Sequence, residues 1–491
     1  MSSSKSVVRR RWFGVVQGCL RVLLLLCLAF LLTSSGYAAT IASTSCSQTD
    51  VASAVSSAAD GDVVSIPACP NTVWSSNSTP PIAFCKSITL QGAGAGATNI
   101  SINNTGSWPK AGIYVNNCTG KNIRITGLSL TYVSGDAMIF FNNSAGTTAR
   151  VDHMTLNGGS SGGDVLSVYG PFGVADHNIF TNSSTLIEKP ASGDALAGDS
   201  SWSQGPSFGT ANAFYFEDNT FTDTVYTEKD CIDGGREVYR YNTFTSYGPF
   251  THGFDTVPRS CFELDAYNNT FTGKGFSPYY GFRYRGGSGL LYNNLIQGTY
   301  SMAFIQVENY RSYSTGYVSP YTDRISPNWC DGSSNYDGNT GLAGTYHGWP
   351  CRDQIGRGKN QGSYPLYSWN NCRTGLGCGV SDQATITVAG GGGTDYTSSQ
   401  IIANRDFYQM VLTFDGTTGV GQGTLAGRPA TCSVNSDTGK GPAYWATDQN
   451  RLYQCSATNT WTLYYVPFTY PHPLVGAAVV QPPMNVTAVV K

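Results

Sequence analysis

The sequence predicts an all-β fold: a right-handed parallel β-helix with a capping helix at its N-terminal end and a small β-sheet cap near its C-terminus. Three observations carry this expectation. A short strand–turn phrase returns at nearly constant spacing along the middle of the chain. Only 12% of the 491 residues are charged, whereas glycine (58) and tyrosine (30) abound, so the surface is ordered, β-rich and nearly neutral. Fourteen cysteines suit a chain cross-linked in an oxidising compartment.

The first 38 residues read as an export signal. Lys5, Arg9, Arg10 and Arg11 form a basic stretch, Val22 to Leu32 is an apolar run too short to span a bilayer comfortably, and Gly36-Tyr37-Ala38 has the small-x-Ala pattern of a cleavage site. An uncleaved anchor is the alternative. Arg10-Arg11-Trp12-Phe13 faintly suggests a twin-arginine signal, against which the long oily run speaks. The expected product is secreted, outside the cell or on its surface, with the periplasm as the other possibility, and is not an integral membrane protein. Cleavage removes five of 29 basic residues and no acidic one, which leaves 24 against 31 and a net charge of −7. That balance argues against a nucleic-acid partner.

Cys19 and Cys27 leave with the signal, and twelve cysteines remain. Near-neighbour pairing gives Cys46–Cys69, Cys85–Cys118, Cys231–Cys261, Cys330–Cys351, Cys372–Cys378 and Cys432–Cys455, although spacing alone does not fix the connectivity. Cys330, Cys351, Cys372 and Cys378 match no common zinc-ligand spacing, so no metal is assigned to them.

The repeated phrase runs through ITGLSL (125–130), VDHMTL (151–156), ADHNIF (175–180), EDNTF (217–221), RYNTF (240–244), YNNTF (267–271) and YNNLI (292–296). The aligned positions are Leu128, Met154, Asn178, Asn219, Asn242, Asn269 and Asn294, with gaps of 26, 24, 41, 23, 27 and 25 residues. The long gap is one coil plus the Gly/Ser-rich insertion from Ala191 to Gly209. A coil of this length holds three short strands but cannot bury its own apolar face, so coils must stack at ~4.8 Å with equivalent residues in files. The asparagines are expected to form an internal amide ladder, and the following Phe, Leu and Ile an interior stack.

Upstream, residues 50–59 predict one short amphipathic helix capped by Asp50 or Thr49, followed by strands at Val63–Ile66 and Ser87–Gln91. A helix over the open end of an apolar bore protects the first strands from stray pairing. This arrangement resembles the start of pectate-lyase-like right-handed β-helix proteins. The resemblance covers residues 45–310 and implies fold more than activity. It allows calcium as a cofactor, since lyases of that type often use it, but no acidic cluster here demands it; no other cofactor is expected.

The β-helix is expected over residues 39–400, with a long Cys/Tyr-rich loop insertion at 311–380 bordering a binding face. Residues 401–491 predict C-terminal strands and the cap, with alternating aromatic strands around Ala443–Asp448, Leu452–Cys455 and Thr460–Tyr464. Trp445 and Trp461 are read as capping the bore, with sugar binding as the alternative.

Ionisable residues concentrate in the three coils 226–287. Counted from the ladder, Lys229, His252 and Tyr279 each lie ten residues after Asn219, Asn242 and Asn269, which predicts one file. Arg236 and Glu263 each lie six residues before the next ladder position, which predicts neighbours. Such a group suits β-elimination of a uronic-acid polymer, in which a cation neutralises the carboxylate and a base removes the C5 proton. Lys229, His252, Arg236, Asp255, Glu263 and Arg283 are the catalytic candidates, and Arg259, Arg285, Tyr279 and Tyr280 the substrate-binding ones, with arginine suited to bidentate carboxylate binding. The group resembles alginate-lyase and chondroitinase-type β-helix lyases only loosely, without a transferable motif. An Arg–Glu/Asp network that merely braces one face is the bland reading.

A glycoside hydrolase would use converging carboxylates, for which Asp230, Asp233, Asp255, Glu263 and Asp265 are available. The galacturonase-type Asn-x-Asp followed by Asp-Asp is absent. Asp152-His153 and Asp176-His177, one coil apart, suggest either a metal or acid–base pair or ordinary turn residues. Val-Asp-His is similar to a strand segment of pectate lyases, whose Arg-x-Pro-x-x-Arg pattern is missing. A non-catalytic adhesive or matrix protein would use its tyrosines, among them Tyr284, Tyr310, Tyr313 and Tyr317, as sugar-stacking rings. The expected partner is an extracellular polysaccharide, and self-association is left open.

Overall fold

The structure, a computed structural model, describes residues 38–75, 82–106, 109–142, 146–161, 163–187, 205–222, 229–232, 234–245, 247–251, 261–273, 280–297, 303–308, 355–358, 362–388 and 401–476. Among these, three all-parallel sheets of twelve, ten and nine strands form a right-handed parallel β-helix. Each coil gives one strand to each sheet. One coil supplies Arg236–Arg240, Thr243–Phe244 and Pro249–Thr251, and the next supplies Glu263–Tyr267, Thr270–Phe271 and Tyr280–Tyr284.

The ladder at the turn between the twelve- and nine-stranded sheets explains why the coils keep register. The Nδ2 of Asn178 donates to Asn219 Oδ1 at 3.0 Å, and the pattern repeats from Asn219 to Asn242 (3.0 Å), Asn242 to Asn269 (3.0 Å) and Asn269 to Asn294 (2.9 Å). Asn371 extends it, accepting from Asn294 at 2.7 Å. Each of these side chains is buried, and each Oδ1 also accepts a backbone N–H from the preceding coil. Two residues on, Phe180, Phe221, Phe244 and Phe271 stack inside the bore at 4.6, 4.7 and 4.7 Å between ring centroids.

Helix α1 (Gln48–Ser57) turns Val51, Ala54 and Val55 into the core. Its cap is Ser47, not Asp50 or Thr49: the Ser47 hydroxyl accepts the Asp50 N–H at 3.2 Å, which places Asp50 in the first turn, where a carboxylate suits the helix dipole. Lys86 closes the other end by donating to the carbonyls of Val55, Ser56 and Ala58.

Two expectations are corrected. The stretch 311–380 is not all loop, because Leu366–Trp369 pairs in register with Leu290–Tyr292 as a strand of the twelve-stranded sheet. Trp445 does not cap the bore. The sheet of Val420–Gly423, Ala443–Ala446, Arg451–Ala457 and Thr460–Tyr465 lays its aromatic side on the outer flank of the twelve-stranded sheet, with Trp445 5.3 Å from both Tyr292 and Trp369. A second apolar core therefore lies outside the solenoid.

Among the described residues five disulfides are present, Cys46–Cys69, Cys85–Cys118, Cys231–Cys261, Cys372–Cys378 and Cys432–Cys455. Cys330 and Cys351 lie outside the described residues. Among the described residues no helix is long and apolar enough to cross a membrane.

Candidate functional site

Among the described residues, the sequence-predicted ones fall into two groups, one on strands of the ten-stranded sheet and one on strands of the twelve-stranded sheet. On the ten-stranded side, cross-strand register sets Asp230, Phe250, Arg283 and Gln306 in one file on consecutive coils. Arg283 Nη2 and Arg285 Nε both reach Glu308 Oε1, at 2.6 and 2.5 Å, and Gln306 Nε2 donates to Glu308 Oε2 at 3.0 Å. The two guanidinium groups also lie 4.6 and 5.0 Å from the Phe250 ring centroid. The backbone N–H of Arg285 is tied to Thr251 Oγ1 at 2.7 Å. Two cations thus meet at the buried carboxylate of Glu308. The Arg283 side chain is the most accessible of the group, at 12%.

On the twelve-stranded side Arg236 stands directly opposite Glu263 in register, with Nε 3.9 Å from Oε2. Arg236 lies over the Phe262 ring at 5.0 Å and donates to the carbonyls of Gly234 and Gly205. Glu263 accepts the Ser207 N–H, and Asp265, two residues on, accepts the Leu290 N–H at 2.8 Å. Both carboxyls are fully buried. Burial raises both well beyond the ordinary carboxylate range, more than Arg236 offsets for Glu263, while for Asp265 the charge of Glu263 adds to the rise. Glu263 braces the segment around Ser207 and Asp265 the strand that begins at Leu290, and neither carboxyl faces solvent.

Lys229 does not stand with Arg283 and Arg285. It belongs to the inward-facing file between Thr185 and Pro249, fully buried, with Nζ 5.4 Å from the Phe221 ring in the bore. Its neighbour in register is Pro249, three residues before His252, because the chain between ladder and strand differs in length from coil to coil. A lysine enclosed in the bore does not meet a polymer. His252, Asp255, Arg259 and Tyr279 lie outside the described residues, and of Tyr280 only the strand is described. Asp233 is also outside them, whereas Asp230 is buried on the outer file. Sequence reasoning missed Phe250, Gln306 and Glu308; the last follows the strand Ala303–Val307 directly, where a lone acid after an apolar strand was the available signal.

The Asp-His pairs lie elsewhere, on the flank of the twelve-stranded sheet. Asp152 takes both Nε and Nη2 of Arg124, at 2.7 and 2.6 Å, and Asp176 takes the same two atoms of Arg150, both at 2.9 Å. Burial alone would raise the Asp152 carboxyl, but Arg124 and Arg150 hold it below the ordinary range. Residues 466–476 run across this flank as a strap. Arg150 donates to the carbonyls of Leu474 and Val475, Arg240 to those of Phe468 and Thr469, and Glu217 accepts the His472 N–H.

Among the described residues, two groups of three side chains hold metal-capable atoms within 4.8 Å of one another. Cys231, Glu237 and Cys261 are one, but the sulphurs are joined in a disulfide. Asp152, His153 and Asp176 are the other. Neither offers the oxygen-rich shell that calcium takes.

No protein-family model matches the chain, and no curated protein matches it. A search of solved structures finds the alginate lyase from Paenibacillus sp. str. FPU-7, with a TM-score of 0.26 and 14% identity, over 55% of this chain and 93% of that one.

Proposed function

We propose that the protein is a polysaccharide lyase that cleaves a uronic-acid glycan by β-elimination at the corner held by Arg283 and Arg285. The observation that supports this reading is the pair of guanidinium groups on the outer face, both over the Phe250 ring and both on the carboxylate of Glu308. A uronate carboxylate placed there is neutralised by charge-assisted hydrogen bonds, which acidifies the adjacent C5 proton. A base then takes that proton, the C4–O bond breaks, a C4=C5 double bond forms, and the departing oxygen is protonated. With Lys229 enclosed in the bore, the base is sought in His252, which follows Thr251 directly in the chain, and in Tyr279 or Tyr280. Arg259 and Asp255 enter the reading on sequence grounds alone, and Arg236 and Glu263 as a buried brace on the twelve-stranded sheet. Export and an extracellular polysaccharide partner complete it, supported by the five disulfides.

The test is incubation with a panel of uronate polymers, following the absorbance of unsaturated ends. Cleavage of at least one polymer is expected, with Arg283→Ala lowering kcat/KM about 100-fold, the loss of roughly 3 kcal/mol from one charge-assisted contact in the transition state. No unsaturated ends from any polymer removes the lyase reading. If a uronate gel still retains the wild type but not Arg283→Ala, the corner binds glycan without cutting it.

A further inference from the structure

The flank that carries the Asp-His phrases holds a second arrangement, unconnected with the corner. Asp152, Asp176 and Glu217 are cross-strand neighbours, so the residues that follow them, His153, His177 and Asp218, stand in one file on three consecutive coils. All three take left-handed backbone geometry, with φ of 53°, 56° and 57°. The fold does not ask for histidine there. Later coils fill the same position with Asn268, Asn293 and Asn370, and asparagine suits positive φ better than histidine does.

What the histidines add is a pair of oriented, outward imidazoles. His153 Nδ1 lies 2.7 Å from Asp152 Oδ2 and His177 Nδ1 lies 3.0 Å from Asp176 Oδ2. The two aspartates are in turn clamped by Arg124 and Arg150, so neither carboxylate can swing away. The rings are parallel within 3°, their centroids 5.2 Å apart, and the side chains are 59% and 46% accessible. A carboxylate on Nδ1 selects the tautomer whose Nε2 lone pair serves as a ligand, the usual outer shell of a metal-binding histidine.

We propose that His153 and His177 form a surface site for a divalent transition ion of the zinc class. Zinc–nitrogen bonds of ~2.1 Å at tetrahedral angles bring two ligand nitrogens to about 3.4 Å, so the parallel rings, with centroids 5.2 Å apart, must tilt towards each other to converge on one ion. Exposed side chains hinged at Cβ make that movement without disturbing the strands. Water completes the shell.

The experiment is calorimetric titration of the full chain, stripped by a chelator, with zinc and separately with nickel. Saturation near one equivalent is expected, undisturbed by excess calcium or magnesium, which prefer oxygen shells. His153→Asn and His177→Asn should each weaken binding at least tenfold, and the double variant should abolish it. Asparagine suits the positive φ, so these variants keep the fold, which circular dichroism checks. His472→Asn, a change at a buried histidine outside the file, should bind like the wild type. A wild type that shows no saturable zinc binding, or a double variant that binds zinc as the wild type does, overturns the proposal.

Discussion

At the scale of single residues the ladder asparagines do more than fill a turn. Asn242 accepts from the Asn219 backbone and side chain and donates to the Phe216 carbonyl and to Asn269 Oδ1, all with 1% of its surface exposed. Removing it orphans buried groups on both neighbouring coils, and an orphaned buried polar group costs about 1–3 kcal/mol. Asn242→Ala is therefore expected to lower unfolding stability by about 3 kcal/mol in denaturant titrations. A loss below about 1 kcal/mol would show that the ladder is ornamental. This ladder could be read from sequence because the same residue returns with the same flanks. Asn371 escaped, since 77 residues separate it from Asn294 and the period cannot be followed across that gap.

At the scale of elements, what could be foreseen depended on which side of a loop a residue lies. Arg236 and Glu263 precede their ladder positions within one continuous strand and turn, so equal counting put them together correctly. Lys229 and His252 follow theirs across loops of unequal length, and the same counting slipped by three residues. The interior strands also hold an oddity that no pattern announces. Glu237 occupies the inward-facing file between Phe214 and Leu264, fully buried, with the Tyr239 hydroxyl beside its carboxyl. Burial, with Asp230 adding to it, raises this carboxyl well above the ordinary range. Replacing a buried acid by a hydrocarbon of similar volume removes its desolvation cost. Glu237→Leu should stabilise the protein by about 1–2 kcal/mol, seen as a raised Tm. An unchanged or lowered Tm would mean that the contact with Tyr239 outweighs the desolvation cost.

At the scale of the whole molecule the C-terminal strap ties together coils that the solenoid keeps apart, and nothing local in the sequence foretold it. Its partners lie more than 200 residues away, and Arg150 and Arg240 bind its main-chain carbonyls, which any sequence supplies. The strap makes stability depend on pH through His472. This imidazole is 5% exposed, packs on Tyr215 and Phe468, and faces Arg150 and Arg240, while its Nδ1 accepts the Leu474 N–H at 3.2 Å. Burial, reinforced by the two arginines, lowers its pKa from 6.5 to about 4. Between those values the unfolded chain binds the proton and the folded one does not, so stability rises with pH across this window. The contribution is complete above pH 6.5 and fades as the pH falls to about 4, by at most roughly 3 kcal/mol. Glu217, whose carboxyl burial raises, acts in the opposite sense in the lower part of the window, but it does so equally in a His472 variant. His472→Asn keeps a side-chain acceptor for the Leu474 N–H and cannot titrate. Calorimetric Tm measured from pH 7 to pH 4 should therefore fall more steeply for the wild type than for His472→Asn, and hydrogen exchange in residues 466–476 should accelerate on acidification only in the wild type. Parallel Tm curves for the two proteins would show that the strap holds without regard to the charge of His472.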